Sequence, residues 1–275
     1  MEQALWERLL LPESRDGELY ELFHENSKTS RYQEMPSNDE VAARMLRMLE
    51  SLPYDLYPAI ELPSSLTPLQ LSLGEAILNR ATTRAMDPIP LALRDLATIL
   101  HFAYGVTRDN TGTDWPRPFR TVPSGGALYP LEIYFYTGRV ESLPAGLYHY
   151  NPSANRLRQL FEGDLAAQIA DGLVQPDLAG SSSVIFFITA VFERSTFKYG
   201  DRGYRFTLLE AGHVAQNINL TAIGLGLGST NIGGFFDRQI DALLGLDGVT
   251  HSTIYLVAVG KPKQTTEYSS SVFPH

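Results

Sequence analysis

Between Ala211 and Phe236 the chain carries no Asp, Glu, Lys or Arg. A stretch of that length must either cross a membrane or be wrapped by the rest of the protein. His213, Gln216, Asn217 and Asn219 stand inside it, and its second half is rich in glycine, which argues against a membrane span. A helix over Arg205–Leu227, buried between protein layers, accounts for it. Phe206, Leu209, His213, Gln216, Leu220, Ile223 and Leu227 fall at helical spacing. So do Leu208, Ala211, Ala215, Ile218, Ala222 and Leu225. Two such stripes leave little of this helix for water. It is expected in the core or at a dimer interface, with His213 a hydrogen-bonded core histidine.

Val184–Phe192 is almost wholly apolar and reads as a central strand covered on both faces. Leu131–Thr137 reads the same way. Gly146–Tyr150, a turn at Asn151–Asn155 and Arg156–Leu160 form a hairpin pattern, and Thr253–Val259 a final strand. Helices are expected over Glu2–Leu10, Asp39–Leu52, Leu71–Arg84, Pro90–Tyr104, Asp164–Gly172 and Asp237–Leu244. The second has Val41, Met45, Met48 and Leu52 on one face and Ser37 or Asn38 as its cap. Val106–Arg120 reads as loop. Pro53, Pro58, Pro63 and Pro68 punctuate an extended linker. Residues 1–69 thus read as an N-terminal helical extension with a proline-rich linker, and residues 70–275 as the main domain. The expected class is α+β, a mostly antiparallel sheet surrounded by helices.

Composition narrows the chemistry. There is no cysteine, hence no disulfide, thiolate metal site or cysteine nucleophile. The net charge of -9 disfavours nucleic acid and anionic lipid. The six histidines show no metal-ligand spacing, so no metal is expected. Met1–Leu11 lacks the basic-then-apolar layout of an export signal, so a cytoplasmic location is expected.

Four segments could carry chemistry. Arg80-Ala-Thr82-Thr-Arg84 sets two guanidiniums four residues apart, on one face if helical, with hydroxyls between them. Guanidinium forks match phosphate oxygens, although an ordinary solvated helix end would look the same. Pro123-Ser124-Gly125-Gly126 precedes a buried strand, and its glycines admit close backbone approach to a ligand. Phe197–Arg205 joins the most apolar strand to the long helix. It delivers Lys198 and Tyr199 to the edge of the core, where they could act as a proton-transfer pair; a charged, solvated loop is the plain alternative. Gly224–Phe236 lacks the third glycine of a dinucleotide fingerprint and follows a helix instead of a strand, so it does not match a Rossmann site. Its glycines suit a tight passage beside a flat ligand.

Taken together, in this order, the segments resemble the SagB-type dehydrogenases, a branch of the FMN-dependent nitroreductase family. The resemblance spans roughly Leu71 to Pro262, with a weaker echo in Phe23–Lys28. It is carried by Arg80-x-Thr82-x-Arg84, by Pro123-Ser-Gly-Gly-x-Leu-Tyr-Pro130 and by Gly146-Leu-Tyr-His-Tyr150. Lys198-Tyr-Gly, Arg202-Gly-Tyr-Arg205 and Glu210-Ala-Gly-His213 complete it. It implies a nitroreductase-like fold and a homodimer with FMN at the subunit interface. Arg80, Thr82, Arg84 and Lys261 would hold the FMN phosphate, and Pro123, Ser124, Gly125 and Gly126 would line the ring. Gly233 and Gly234 would offer backbone N–H groups to it. The implied reaction oxidises a thiazoline or oxazoline in a peptide or carrier-bound intermediate to the aromatic azole, with O2 restoring the flavin. A ring-forming cyclodehydratase or an assembly line is the implied partner. The competing readings are an NAD(P)H-dependent nitroreductase or flavin reductase, and a flavin-free scaffold.

Overall fold

The structure is a computed structural model that describes residues 18–110, 113 and 117–263. The helix expected over Glu2–Leu10 and part of the 106–120 loop lie outside the described residues.

An eight-stranded sheet organises the chain. Its strands are β1 (Ala59–Glu61), β2 (Met86–Asp87), β5 (Leu131–Thr137), β6 (Gly146–Asn151), β7 (Arg156–Glu162), β8 (Val184–Val191), β9 (Gly228–Ile232) and β10 (His251–Pro262). The order is β1-β7-β6-β5-β8-β10-β2, with β9 also on β10, and every strand pair is antiparallel. A separate ribbon pairs β3 (Val106–Arg108) with β4 (Phe119–Arg120), where the sequence reads as loop.

The two central strands bury both faces, as their apolar runs predict. Ile133, Phe135, Phe186 and Ile188 point to one side. There they pack under α4 (Leu93–Tyr104) and α8 (Asp201–Gly224), which supply Leu96, Leu100, Val214 and Ile218. Tyr134, Tyr136, Ile185 and Phe187 point to the other side, under α5 (Ala166–Asp171), α6 (Asp177–Ser181) and α9 (Asp237–Leu244). Period-two alternation inside an unbroken apolar run thus feeds two cores.

Several expectations are corrected. α1 (Leu19–Asn26) precedes α2 (Asn38–Arg47), which stops short of Leu52. Ser37 caps α2 in a reciprocal box with Glu40. At its other end Arg117 donates to the carbonyls of Met45 and Met48 at 2.9 and 2.7 Å, taking acceptors that a further turn would need. The linker carries β1, paired with β7. The helix expected to reach Arg84 is α3 (Leu73–Asn79), and Arg80–Arg84 leaves it in non-helical backbone. The pull is tertiary: Thr83 N–H donates to Ser229 O at 2.9 Å, and Thr82 bridges Ser229.

The segment 197–205 is the junction of α7 (Glu193–Tyr199) and α8, broken at Gly200 with φ +54, so the plain alternative of a charged loop does not hold. A Cβ on Gly203 would meet the Ser195 carbonyl at 2.8 Å, so glycine lets the two helices touch. His213 is exposed and does not lie in the core. The Ala211, Ala215, Ile218 and Ala222 stripe faces inward, while Leu208 and Leu209 face out. No helix among the described residues is long and apolar enough to cross a membrane.

Candidate active site

The Pro-Ser-Gly-Gly segment ends in a short 3-10 turn at Gly125–Ala127. Gly126 stands at φ +65, and a Cβ there would lie 2.6 Å from the Tyr199 hydroxyl and 3.0 Å from Lys198 Nζ. Gly125 faces the Phe206 ring in the same way, at 3.0 Å. Glycine is therefore required twice over at Gly126, by conformation and by space. Two residues that are not glycine, Ala127 at φ 52 and Tyr129 at φ 47, share this left-handed backbone. Each such residue costs about 1–3 kcal/mol and persists only where its surroundings impose it. Here Tyr129 N–H donates to Ser124 Oγ at 2.9 Å and Arg120 N–H to the Tyr129 hydroxyl at 3.0 Å. The Arg120 guanidinium lies over the Tyr129 ring at 5.0 Å.

Lys198 and Tyr199 close α7, both half-buried, with Lys198 Nζ 5.1 Å from the Tyr199 ring centre. Tyr199 packs edge-on against Phe206 at 5.0 Å and beneath Val41 and Met45 of α2. The N-terminal segment thus covers the back of the pair. The Phe23 ring of α1 meets Tyr204 at the start of α8, 5.4 Å between centres.

The phosphate motif forms a second cluster. Arg80, Thr82 and Arg84 are exposed. No helix carries Arg80–Arg84. A Cβ on Gly228 would lie 2.6 Å from the Thr83 side chain, which sets how closely this stretch runs along β9. The end of β10 runs beside it as well. Lys261 pairs with Asp87, Lys263 N–H donates to Ala85 O at 3.0 Å, and Lys261 Nζ reaches Gly226 O at 3.3 Å. Arg84 then opens into a cleft of about 130 Å³ lined also by Thr230, Asn231, Gly233 and Gly234. Val174 N–H donates to Gly234 O at 2.9 Å and fixes that turn. Pro123–Gly126, Lys198 and Tyr199 do not line this cleft. The expected site residues therefore fall into two groups on one chain. A larger cavity of about 360 Å³ runs along α8, lined among others by Leu69, Phe102, Thr121, Asn217 and Leu220, with none of the expected site residues on its wall.

Two buried carboxylates were not singled out from the sequence as functional. Glu210 of α8 accepts from the Tyr104 hydroxyl at 2.8 Å. Burial pushes its carboxyl up, the hydrogen bonds and Arg120 pull back, and the balance stands at about 7. Glu132 of β5 accepts from Leu52 N–H at 2.9 Å, Ser51 Oγ at 3.0 Å and His149 Nε2 at 2.7 Å. Arg194 Nη1 lies 2.7 Å away as an ion pair, off the line of a hydrogen bond. Burial raises the Glu132 carboxyl, but Arg194 and His149 overcome it and hold it well below the usual range. A single acid inside an otherwise apolar strand was the available signal, because a buried charge demands partners.

The nitroreductase family profile matches residues 77–261. MJ1384 of Methanocaldococcus jannaschii, a protein with a nitroreductase name, is 37% identical over 175 residues, 64% of this chain and 85% of that protein. The microcin B17-processing protein McbC of Escherichia coli is 33% identical over 139 residues, 46% of this chain and 49% of McbC. Among solved structures, one of a nitroreductase-type protein from Anabaena variabilis superposes with a TM-score of 0.71 at 26% identity. It covers 92% of this chain and 49% of that one. The chain thus spans about half the length of the last two.

Proposed function

The chain belongs to the nitroreductase family, and on that footing we propose that it is an FMN-dependent oxidoreductase of the SagB type. Its substrate is a thiazoline or oxazoline in a peptide or carrier-bound intermediate. The observation that carries this reading is the Gly126 turn seated against Lys198 Nζ and the Tyr199 hydroxyl. Dehydrogenating an azoline ring removes a proton as well as a hydride, so an acid–base pair at a ligand-facing glycine turn suits it. McbC, by its name a microcin B17-processing protein, supports a peptide as the substrate.

The residues fit FMN. Three cations, Arg80, Arg84 and Lys261, lie on neighbouring stretches of chain and would hold one phosphate. Gly233 and Gly234 line the cleft that begins at Arg84. FMN when bound supplies the hydride acceptor for the ring, and dioxygen restores it afterwards. Lys198 takes the ring proton, and Tyr199 orients the ring beside it. Pro123–Gly126 form the wall on which the substrate side rests.

A cleft of about 130 Å³ is smaller than the roughly 300–1,000 Å³ of ordinary ligand sites, so one chain covers only part of a flavin. A second copy supplies the rest in this reading. The outward face of α8 exposes Tyr204, Leu208 and Leu209, and neighbouring α3 exposes Leu73, Ile77 and Leu78, an apolar surface that a homodimer would bury. Sedimentation is expected to show a dimer at low micromolar concentration, and Leu209→Glu is expected to give monomers. A folded, FMN-loaded monomer of the parent chain would refute the shared site.

The protein is expected to purify yellow, with FMN and not FAD, because one phosphate clamp is present and a dinucleotide fingerprint is not. Arg84→Ala should weaken FMN binding about tenfold or more, the size of a lost charge-assisted contact. Fluorescence titration of the apoprotein with FMN measures it. The activity itself is tested by anaerobic flavin reduction with an azoline peptide. Reduction by NADPH and by no azoline would favour an NAD(P)H-dependent nitroreductase or flavin reductase. The partner that makes the ring, a cyclodehydratase or assembly-line carrier, belongs to the same proposal, as does a cytoplasmic location.

A further inference from the structure

Residues 23–52 stand ahead of the part of the chain that the family profile matches, which begins at residue 77. They run along the α7–α8 junction in the opposite direction. Phe23 meets the Tyr204 ring, Arg205 donates to Ser27 Oγ and Arg202 to Thr29 Oγ1, both at 3.3 Å. Further on, Arg44 pairs with Glu193 and lies over the Phe197 ring at 4.9 Å. α1 buries no side chain, and α2 buries only Val41 and Met45. Those two share one small cluster with Leu128, Phe197 and Tyr199. Leu128 follows the Gly126 turn by two residues and is fully buried. The buried face of α2 is thus directed at the place where the turn and the pair meet. Main-domain side chains then grip the backbone that leaves α2. Arg117, 5% exposed, donates to Met45 O and Met48 O at 2.9 and 2.7 Å, and Arg120 donates to Glu50 O at 2.6 Å. Glu132 accepts Leu52 N–H at 2.9 Å.

We propose that residues 23–52 are a strap that positions Lys198 and Tyr199 against the glycine turn, with Met45 as its contact at the pair and Arg117 as the positioning residue that fixes Met45. This rests on the reading of Lys198 and Tyr199 as the proton-transfer pair. A methionine side chain has three rotatable bonds and fills an irregular gap, so its placement depends on its backbone. Arg117 holds that backbone through the Met45 carbonyl with a charge-assisted hydrogen bond. Proton transfer needs the base within hydrogen-bond reach of the proton it takes. A misplacement of about 1 Å costs about 10²-fold in rate. No strap residue lines the Arg84 cleft, so the strap acts on proton transfer and leaves FMN binding alone.

The test compares the full chain with FMN added against Arg117→Met, Met45→Ala and Met45→Leu, each alone and combined with Lys198→Ala. Met45→Ala keeps the test standing if Arg117→Met does not fold. Anaerobic single-turnover reduction is followed against azoline peptide concentration. Arg117→Met and Met45→Ala should lower the limiting rate about ten- to a hundredfold, with half-saturation and FMN affinity unchanged, and Met45→Leu should restore it. In the Lys198→Ala background neither should slow reduction further, because the strap acts through the pair. Parental rates in the folded variants, or an equal further loss without Lys198, would overturn the proposal. Hydrogen exchange is read on the same samples at Ala127, Tyr129 and Gly200, whose amides donate within the turn and at the end of α7. Protection should fall at these three in Arg117→Met and Met45→Ala and hold in β8. Unchanged protection there, or a loss equal in β8, counts against the strap. Should no azoline reduce the parent's flavin, the assigned reaction fails, and the exchange result alone decides whether the strap holds the pair.

Discussion

Lys198→Ala is expected to keep its fold and its FMN while slowing azoline-driven flavin reduction by about 10²–10⁴-fold, the usual contribution of a general acid–base group. The side chain is half-buried at the end of α7, so truncating it removes no part of either main core. It lies with the turn and not in the Arg84 cleft, so FMN affinity should change little. Tyr199→Phe is the graded companion. The ring is held by Phe206, Val41 and Met45, so phenylalanine preserves that packing and deletes only the hydroxyl beside Gly126. Its loss should be smaller if Tyr199 orients and Lys198 takes the proton. Single-turnover, anaerobic reduction by an azoline peptide reads the step directly. Should Lys198→Ala reduce at the parental rate, the proton goes elsewhere and the assigned role is wrong.

Much of this arrangement was legible in the sequence, and the exceptions have physical causes. The apolar runs of β5 and β8 and the Gly146 hairpin left little choice, because both faces of a central strand must be covered. The nitroreductase family and its antiparallel sheet were legible from the motifs. The helix expected to reach Arg84 was misjudged because alanine and arginine are good helix formers, whereas pairing with Ser229 decides the backbone there. At 197–205 no local pattern marks the two helices that one glycine at positive φ separates. His213 falls on the exposed side; both stripes of α8 are apolar, and periodicity cannot say which of two apolar faces turns inward. Glu210 and Glu132 were in view as letters. Their burial depends on contacts 70 or more positions away in sequence, with Ser51, Leu52 and Tyr104, which no local pattern reveals.

Glu132→Ala is expected to cost about 3–5 kcal/mol, the loss typical when one partner of a buried ion pair is removed. The side chains of Glu132 and Arg194 are 1% and 6% exposed, so water cannot replace the missing carboxylate. The change would strand the Arg194 guanidinium, His149 Nε2, Ser51 Oγ and the Leu52 amide together. Set against the 5–15 kcal/mol stability of an ordinary domain, this can remove most of the folded population. Glu132→Gln is the informative variant. It keeps the shape and one acceptor oxygen, for Leu52 N–H on one side or Ser51 Oγ on the other, while removing the charge that Arg194 requires. Urea unfolding at pH 7 should show a clear loss for Gln and a larger one for Ala. Acid separates charge from shape. Because the folded carboxyl lies well below its unfolded value, its contribution is present above about pH 4–5 and fades as the pH falls. The gap between parent and Glu132→Gln should therefore narrow on acidification. A gap that stays constant from pH 7 to pH 3 would mean that Glu132 holds the 51–54 segment by shape and hydrogen bonding, with no net contribution from its charge.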